Sequence, residues 1–98
     1  MKGFGSPEKK KKKKIKNLDR IQFKEQIIYQ AFKSHSEGNI AEAMRYYQSF
    51  IKEGFKDFRV FSNYGFILIG LGKLKEAELS YRKAIKIKPD FADAHSNL

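Results

Sequence analysis

Gly70-Leu71-Gly72-Lys73 comes nearest, in this 98-residue chain, to a phosphate-binding loop. A Walker loop needs a glycine five residues before that of its Gly-Lys pair, and Ile67 stands there; a dinucleotide fingerprint needs one where Lys75 stands. Both templates fail. His35 and His95 lie far apart in sequence, with no cysteine in the chain and no clustered carboxylates, so their types and spacing give no metal site. Serine, histidine and aspartate occur in no arrangement that would activate a nucleophile. Chemistry by cofactor, metal or covalent intermediate is therefore not expected. What remains is binding: a lysine run, Lys9, Lys10, Lys11, Lys12, Lys13 and Lys14, and apolar stripes further along.

The net charge of +10 is unevenly spread. Residues 1–17 hold eight lysines against Glu8, a net +7, while residues 18–98 hold thirteen basic and ten acidic groups, a net +3. The leader has almost nothing apolar to bury, and like-charge repulsion predicts that residues 1–17 are disordered. Such a run is either a plain solvated tail or a weak tether to nucleic acid or an anionic membrane surface. It carries no interleaved aromatics beyond Phe4 for stacking bases. The absence of cysteine rules out a disulfide scaffold. The longest apolar run, Phe66 to Ile69, falls far short of the roughly 20 residues that span a bilayer. No apolar stretch follows the basic amino terminus, so a secretory signal is not expected and a cytoplasmic location is.

From about Leu18 apolar residues recur at three- and four-residue spacings, which predicts helices at roughly 20–36, 39–53, 58–71, 73–88 and from 91 onward. The pattern repeats every 34 residues. Residues 24–57 laid over 58–91 match at Phe32/Phe66, Gly38/Gly72, Glu42/Glu76, Ala43/Ala77, Tyr47/Tyr81, Ile51/Ile85 and Lys52/Lys86, and Ser62-Asn63 recurs as Ser96-Asn97. A helical repeat of this length cannot bury its apolar face alone and stacks on its neighbours.

In residues 58–91 the period is carried by Phe61, Tyr64-Gly65, Leu68, Gly72, Ala77, Tyr81, Ala84 and Pro89, and in this the chain resembles the tetratricopeptide repeat (TPR) family. Residues 24–57 carry the pattern more loosely, as Ile27, Gln30-Ala31, Ser34, Gly38, Ala43 and Tyr47, with Phe50 for the second small residue and Phe55 for the proline. Residues 92–98 resemble the start of a third repeat, with His95 in the aromatic place and Leu98 in that of the leucine. The fold implied is an all-α, right-handed superhelical solenoid of antiparallel helix pairs over 18–98. Small Gly65 and Ala77 would let two helices approach, Tyr81 and Phe61 would fill the space beside them, and Gly72 would supply the turn. Asp57 and Asp90 stand where N-caps belong, and Pro89 should stop the helix before it. Phe50 either opens the first helix pair or is met by a smaller neighbour.

If the resemblance holds, the first helix of each repeat lines a concave groove. Its stripes are Arg59, Ser62, Phe66 and Ile69, with Asn63 beside them, and one repeat earlier Glu25, Ile28, Phe32 and His35. The expected function is a non-enzymatic scaffold presenting this groove to a peptide or protein, centred on Phe32 and Phe66; the alternative for these rings is that they pack together and close it. TPR domains that grip a C-terminal carboxylate use lysine and asparagine at places held here by Ile28, Phe32, Ser62 and Phe66, which disfavours that sub-function. The chain also resembles the N-terminal part of bacterial multi-repeat TPR proteins whose later domains are glycosyl-, sulfo- or methyltransferases, where the repeats would position a substrate. Stopping at Leu98, about two turns into a helix, suggests a truncated product, the front of a longer protein, or self-association through the open C-terminal edge.

Overall fold

A computed structural model describes residues 5–90, with side chains from residue 19. Four helices follow one another: α1 (Gly5–Ser36), α2 (Ile40–Lys52), α3 (Phe58–Gly70) and α4 (Leu74–Ile87), and no strand occurs among the described residues. Helix α1 pairs with α2, α3 pairs with α4, and α2 lies against α3 to join the two pairs. Residues 92–98, and with them His95, lie outside the described residues.

The helix boundaries expected from periodicity agree closely, except at the amino terminus. Helix α1 begins at Gly5, and its backbone carries Lys9 to Lys14. Nucleation is the costly step in helix formation, and a helix anchored by packing further along extends at little cost through lysine, a good helix former. Pro7 falls in the first turn, where a missing N–H costs nothing.

Each pair closes on the same glycine turn. Gly38 has φ +80 and Gly72 φ +78. Asn39 N–H donates to Ser34 O at 2.8 Å, and Lys73 N–H to Leu68 O at 2.9 Å. This is the Schellman arrangement, which satisfies carbonyls left over at a helix end. The turn between the pairs uses it a third time: Gly54 has φ +84 and Phe55 N–H donates to Phe50 O at 3.3 Å. At the other end of that turn the Asp57 carboxylate accepts from Arg59 N–H at 2.9 Å and caps α3. Helix α4 stops at Ile87, and Lys88 before Pro89 is extended (φ −135, ψ 91), as a residue preceding proline prefers.

The core runs across the pair-to-pair junction. Ile27, Ile28, Ala31, Ala43, Tyr47, Phe50, Val60 and Ile67 form one buried cluster. Phe50 is wholly buried, and Ile27 stands where the second repeat has Phe61, so the bulky ring is met by a smaller neighbour. In the second pair Gly65 lies so close to α4 that a Cβ there would stand 3.0 Å from the Tyr81 ring. Ser80 Oγ donates to Phe61 O at 2.6 Å, a buried hydrogen bond that ties α4 to α3.

Candidate functional site

The second-repeat stripe follows from the phase of α3. Val60, Phe61, Gly65, Ile67 and Leu68 are buried on its core side, which leaves Arg59, Ser62, Phe66 and Ile69 toward the other. Phe66 is 67% exposed and Ile69 47% exposed. Water is thus in contact with a phenyl ring and a butyl group one helical turn apart, on a rigid element and without a covering partner.

The first-repeat stripe is arranged differently. Ile28 is 5% exposed and belongs to the cluster with Val60 and Ile67, so it is a core residue and not part of an accessible groove. Helix α1 is apolar on more than one side, and the junction with α3 takes up the side that holds Ile28. Phe32 is half-buried: its ring lies 6.3 Å from that of Tyr47, and the Arg59 guanidinium stands 5.4 Å above it. His35 is half-buried with Nδ1 2.9 Å from the Tyr47 hydroxyl and its ring edge-on to the tyrosine at 5.9 Å.

Two polar constellations border the stripe. In the first, Arg59 makes a fork to Asp57, Nε to Oδ1 at 3.0 Å and Nη2 to Oδ2 at 2.8 Å. The bond to Asp57 holds the Arg59 guanidinium above its ordinary value against the opposing effect of burial, with the charges of Asp57 and Glu25 adding to it. Burial pushes the Asp57 carboxyl up, but the side-chain and backbone bonds from Arg59, with its charge and that of Lys24, outweigh it and hold Asp57 below 3.8. A guanidinium committed to its own carboxylate and resting on Phe32 is not a free hand for a partner's carboxylate. In the second, the Tyr47 hydroxyl is shared between His35 of α1 and Asn63 of α3. Burial pushes this phenol above 10.0, opposed by the Asn63 bond. Ser62 turns back on its own helix, its Oγ donating to Arg59 O at 3.1 Å. Asn63 is therefore used in joining the repeats, and His35 in closing the first pair.

Among the described residues no cluster of three or more histidine, cysteine, aspartate or glutamate side chains is placed to hold a metal ion. No helix among them is long and apolar enough to cross a membrane. Periodicity did not single out Val60 and Ile67, which seal the junction between the repeats, or Gly54, and it placed Phe55 in the proline's position without indicating that its ring packs against Phe50 at 5.4 Å. An apolar residue on each side of the Phe61 stripe, and a lone glycine between two periodic stretches, were the available signals.

Stacked helix pairs closed by glycine turns 34 residues apart define a helical-repeat protein. Residues 65–98 match the family model described as TPR repeat, from the middle of α3 through α4 and onward. Over these residues the chain carries a tetratricopeptide-type repeat. Neither the curated proteins nor the solved structures provide a match. Repeats of this family are in general protein-interaction modules.

Proposed function

We propose that the chain is a non-enzymatic interaction scaffold whose α3 stripe takes an apolar side chain from a peptide or protein partner. The observation that carries this reading is the exposure of Phe66 and Ile69 side by side on a helix whose opposite face is buried. Burying both would stabilise a complex by about 2–4 kcal/mol at roughly 25 cal/mol per Å2, a useful share of a micromolar affinity. Phe32 contributes a wall more than a contact, because Arg59 and Tyr47 already cover it. The binding surface is therefore displaced toward α3 relative to a groove centred equally on both rings.

Peptides selected from a displayed library against the whole chain provide the test. Those that bind should be rich in apolar anchors and should lose tenfold or more in affinity on the Phe66→Glu/Ile69→Glu variant. Both positions are exposed, so the helical circular dichroism should not change. Selected peptides that bind this variant as well as the parent would sink the stripe as the site.

A further inference from the structure

A second surface lies apart from the stripe. A half-open cleft of about 630 Å3 is set between the turn that joins the pairs and the carboxyl-terminal half of α4. Its apolar wall consists of Ile51, Phe55, Phe61 and Ile87. Its charged groups are Lys56, Lys83 and Lys86, and no acid lines it. None of Arg59, Ser62, Phe66 or Ile69 contributes to it.

The nearby acids are already occupied within the protein. Glu53 receives Arg20, Nη1 at 3.3 Å on its carboxylate and Nη2 at 2.6 Å on its backbone carbonyl. Asp57 is closed in the fork with Arg59. The ion pairs among the described residues involve arginines and leave the three cleft lysines out. Lys83 rests its ammonium 5.7 Å from the centre of the Phe61 ring, which places a cation directly over the apolar wall.

We infer that this cleft is a second docking site, and that its occupant is an acidic peptide segment with an aliphatic side chain between carboxylates. The aliphatic group would enter against Ile51 and Ile87 while the carboxylates meet lysines on both sides of the cleft. Charge complementarity of this kind speeds encounter and selects the partner. Nucleic acid fits less well, because Phe61 is nearly buried and offers no exposed ring to stack a base. A bilayer surface fits less well too, because the apolar atoms line a concavity and do not protrude. The site does not depend on the stripe of α3.

The test titrates the whole chain with a labelled alternating Glu-Leu peptide, and with its Gln-Leu counterpart, while amide shifts are followed by NMR. The Glu-Leu peptide should bind, weaken as salt is raised, and shift Gly54, Phe55 and Ile87 while sparing Phe66 and Ile69. The Gln-Leu peptide and the Lys56→Glu/Lys86→Glu variant should each cost about tenfold or more, with Lys56→Gln/Lys86→Gln in between. Equal binding of the two peptides, or indifference to charge reversal, would overturn the inference. So would shifts gathered on Phe66 and Ile69, an outcome that leaves the stripe standing and removes the cleft. Cleft shifts given by phosphatidylserine vesicles and not by the peptide would make the surface a lipid site and overturn the peptide assignment.

Discussion

In α1 and α2 an aliphatic Ile27 accompanies a phenyl ring at Phe50, whereas in α3 and α4 the ring is Phe61 and its counterpart is Ala84. The two places are each 34 residues apart, so the ring has moved from one helix of the pair to the other. The first pair keeps the larger total, because Ile27 accompanies its ring where Ala84 accompanies the second. A smaller difference runs alongside. Ala31 stands with a wholly buried Tyr47 in the first pair, and Gly65 with a half-buried Tyr81 in the second. The exits differ as well: the first uses Gly54 and a Phe55 N–H, and the second an extended Lys88 and a proline that has no N–H to donate. What repeats is therefore the path of the backbone, while the residues that fill a helix pair differ both in place and in bulk. Close-packed interiors accept such differences where the neighbouring side chains and helix spacing adjust around them.

The most severe way to break this comparison is Phe50→Ala. It imposes the second pair's residue on the first without the compensating ring, and should cost about 3–5 kcal/mol in urea unfolding. The double exchange Ile27→Phe/Phe50→Ala places the ring as in the second pair but restores only roughly a quarter of the volume removed, and should recover about 0.5–1 kcal/mol of that loss. A double variant no more stable than Phe50→Ala would show that the two places are not one volume. Phe50 also supports Phe55, whose ring is held by Phe23 at 6.0 Å and by Arg20 at 4.5 Å, so full recovery is not expected.

This difference between the pairs also explains how far the fold could be read from the chain. Gly38, Gly72, Ala77 and Tyr81 were legible because backbone conformation and close approach admit few residue types, and these repeat at a fixed period. Ile28 was misplaced because α1 is apolar on more than one side, and spacing along one helix does not tell which side meets the neighbouring pair. Val60 and Ile67 were passed over for the same reason: they serve the junction between repeats, which the pattern within a single repeat does not describe. The amino-terminal turns of α1 were hidden by charge, since composition measures repulsion and not the help of an anchored helix. Exposure of Phe66 and Ile69 came from the phase of α3, which the periodicity did convey.

A smaller effect separates the turn between the pairs from the turns within them. Helix α3 has a side-chain cap at Asp57, whereas Asn39 and Lys73 make no such bond at the starts of α2 and α4. Asp57→Ala should therefore cost about 1 kcal/mol at neutral pH. The folded carboxyl titrates below 3.8, so its contribution is complete above that value and is lost as pH falls through the lower folded one. The gap between the parent and Asp57→Ala in thermal unfolding should accordingly narrow below about pH 4. Asp57→Asn, which can still cap, should lie between them with little pH dependence over that range. A gap that widens on acidification would contradict the arrangement around Arg59.

The finest distinction is at Gly65, where the second pair could be given the first pair's residue. Two effects oppose each other in Gly65→Ala. Relief of glycine's flexibility in a helix favours the variant by about 1 kcal/mol. The new Cβ would stand 3.0 Å from one Tyr81 ring carbon and 3.1 Å from the next, so the ring must yield by a few tenths of an ångström. Tyr47 accepts Ala31 while wholly buried, and Tyr81 is half-exposed and has solvent on one side into which to shift. The net change should therefore lie within about 0.5 kcal/mol of zero, whereas Gly65→Leu, which no small ring movement accommodates, should cost about 2–3 kcal/mol. A loss above about 2 kcal/mol for the alanine variant would mean that Ser80, bonded to Phe61 O, holds α4 too firmly for its tyrosine to move. The spacing of the second pair would then be set by the glycine and that buried bond together, whereas the first pair is held by packing around Ala31, Tyr47 and Phe50 and by the bond between His35 and Tyr47.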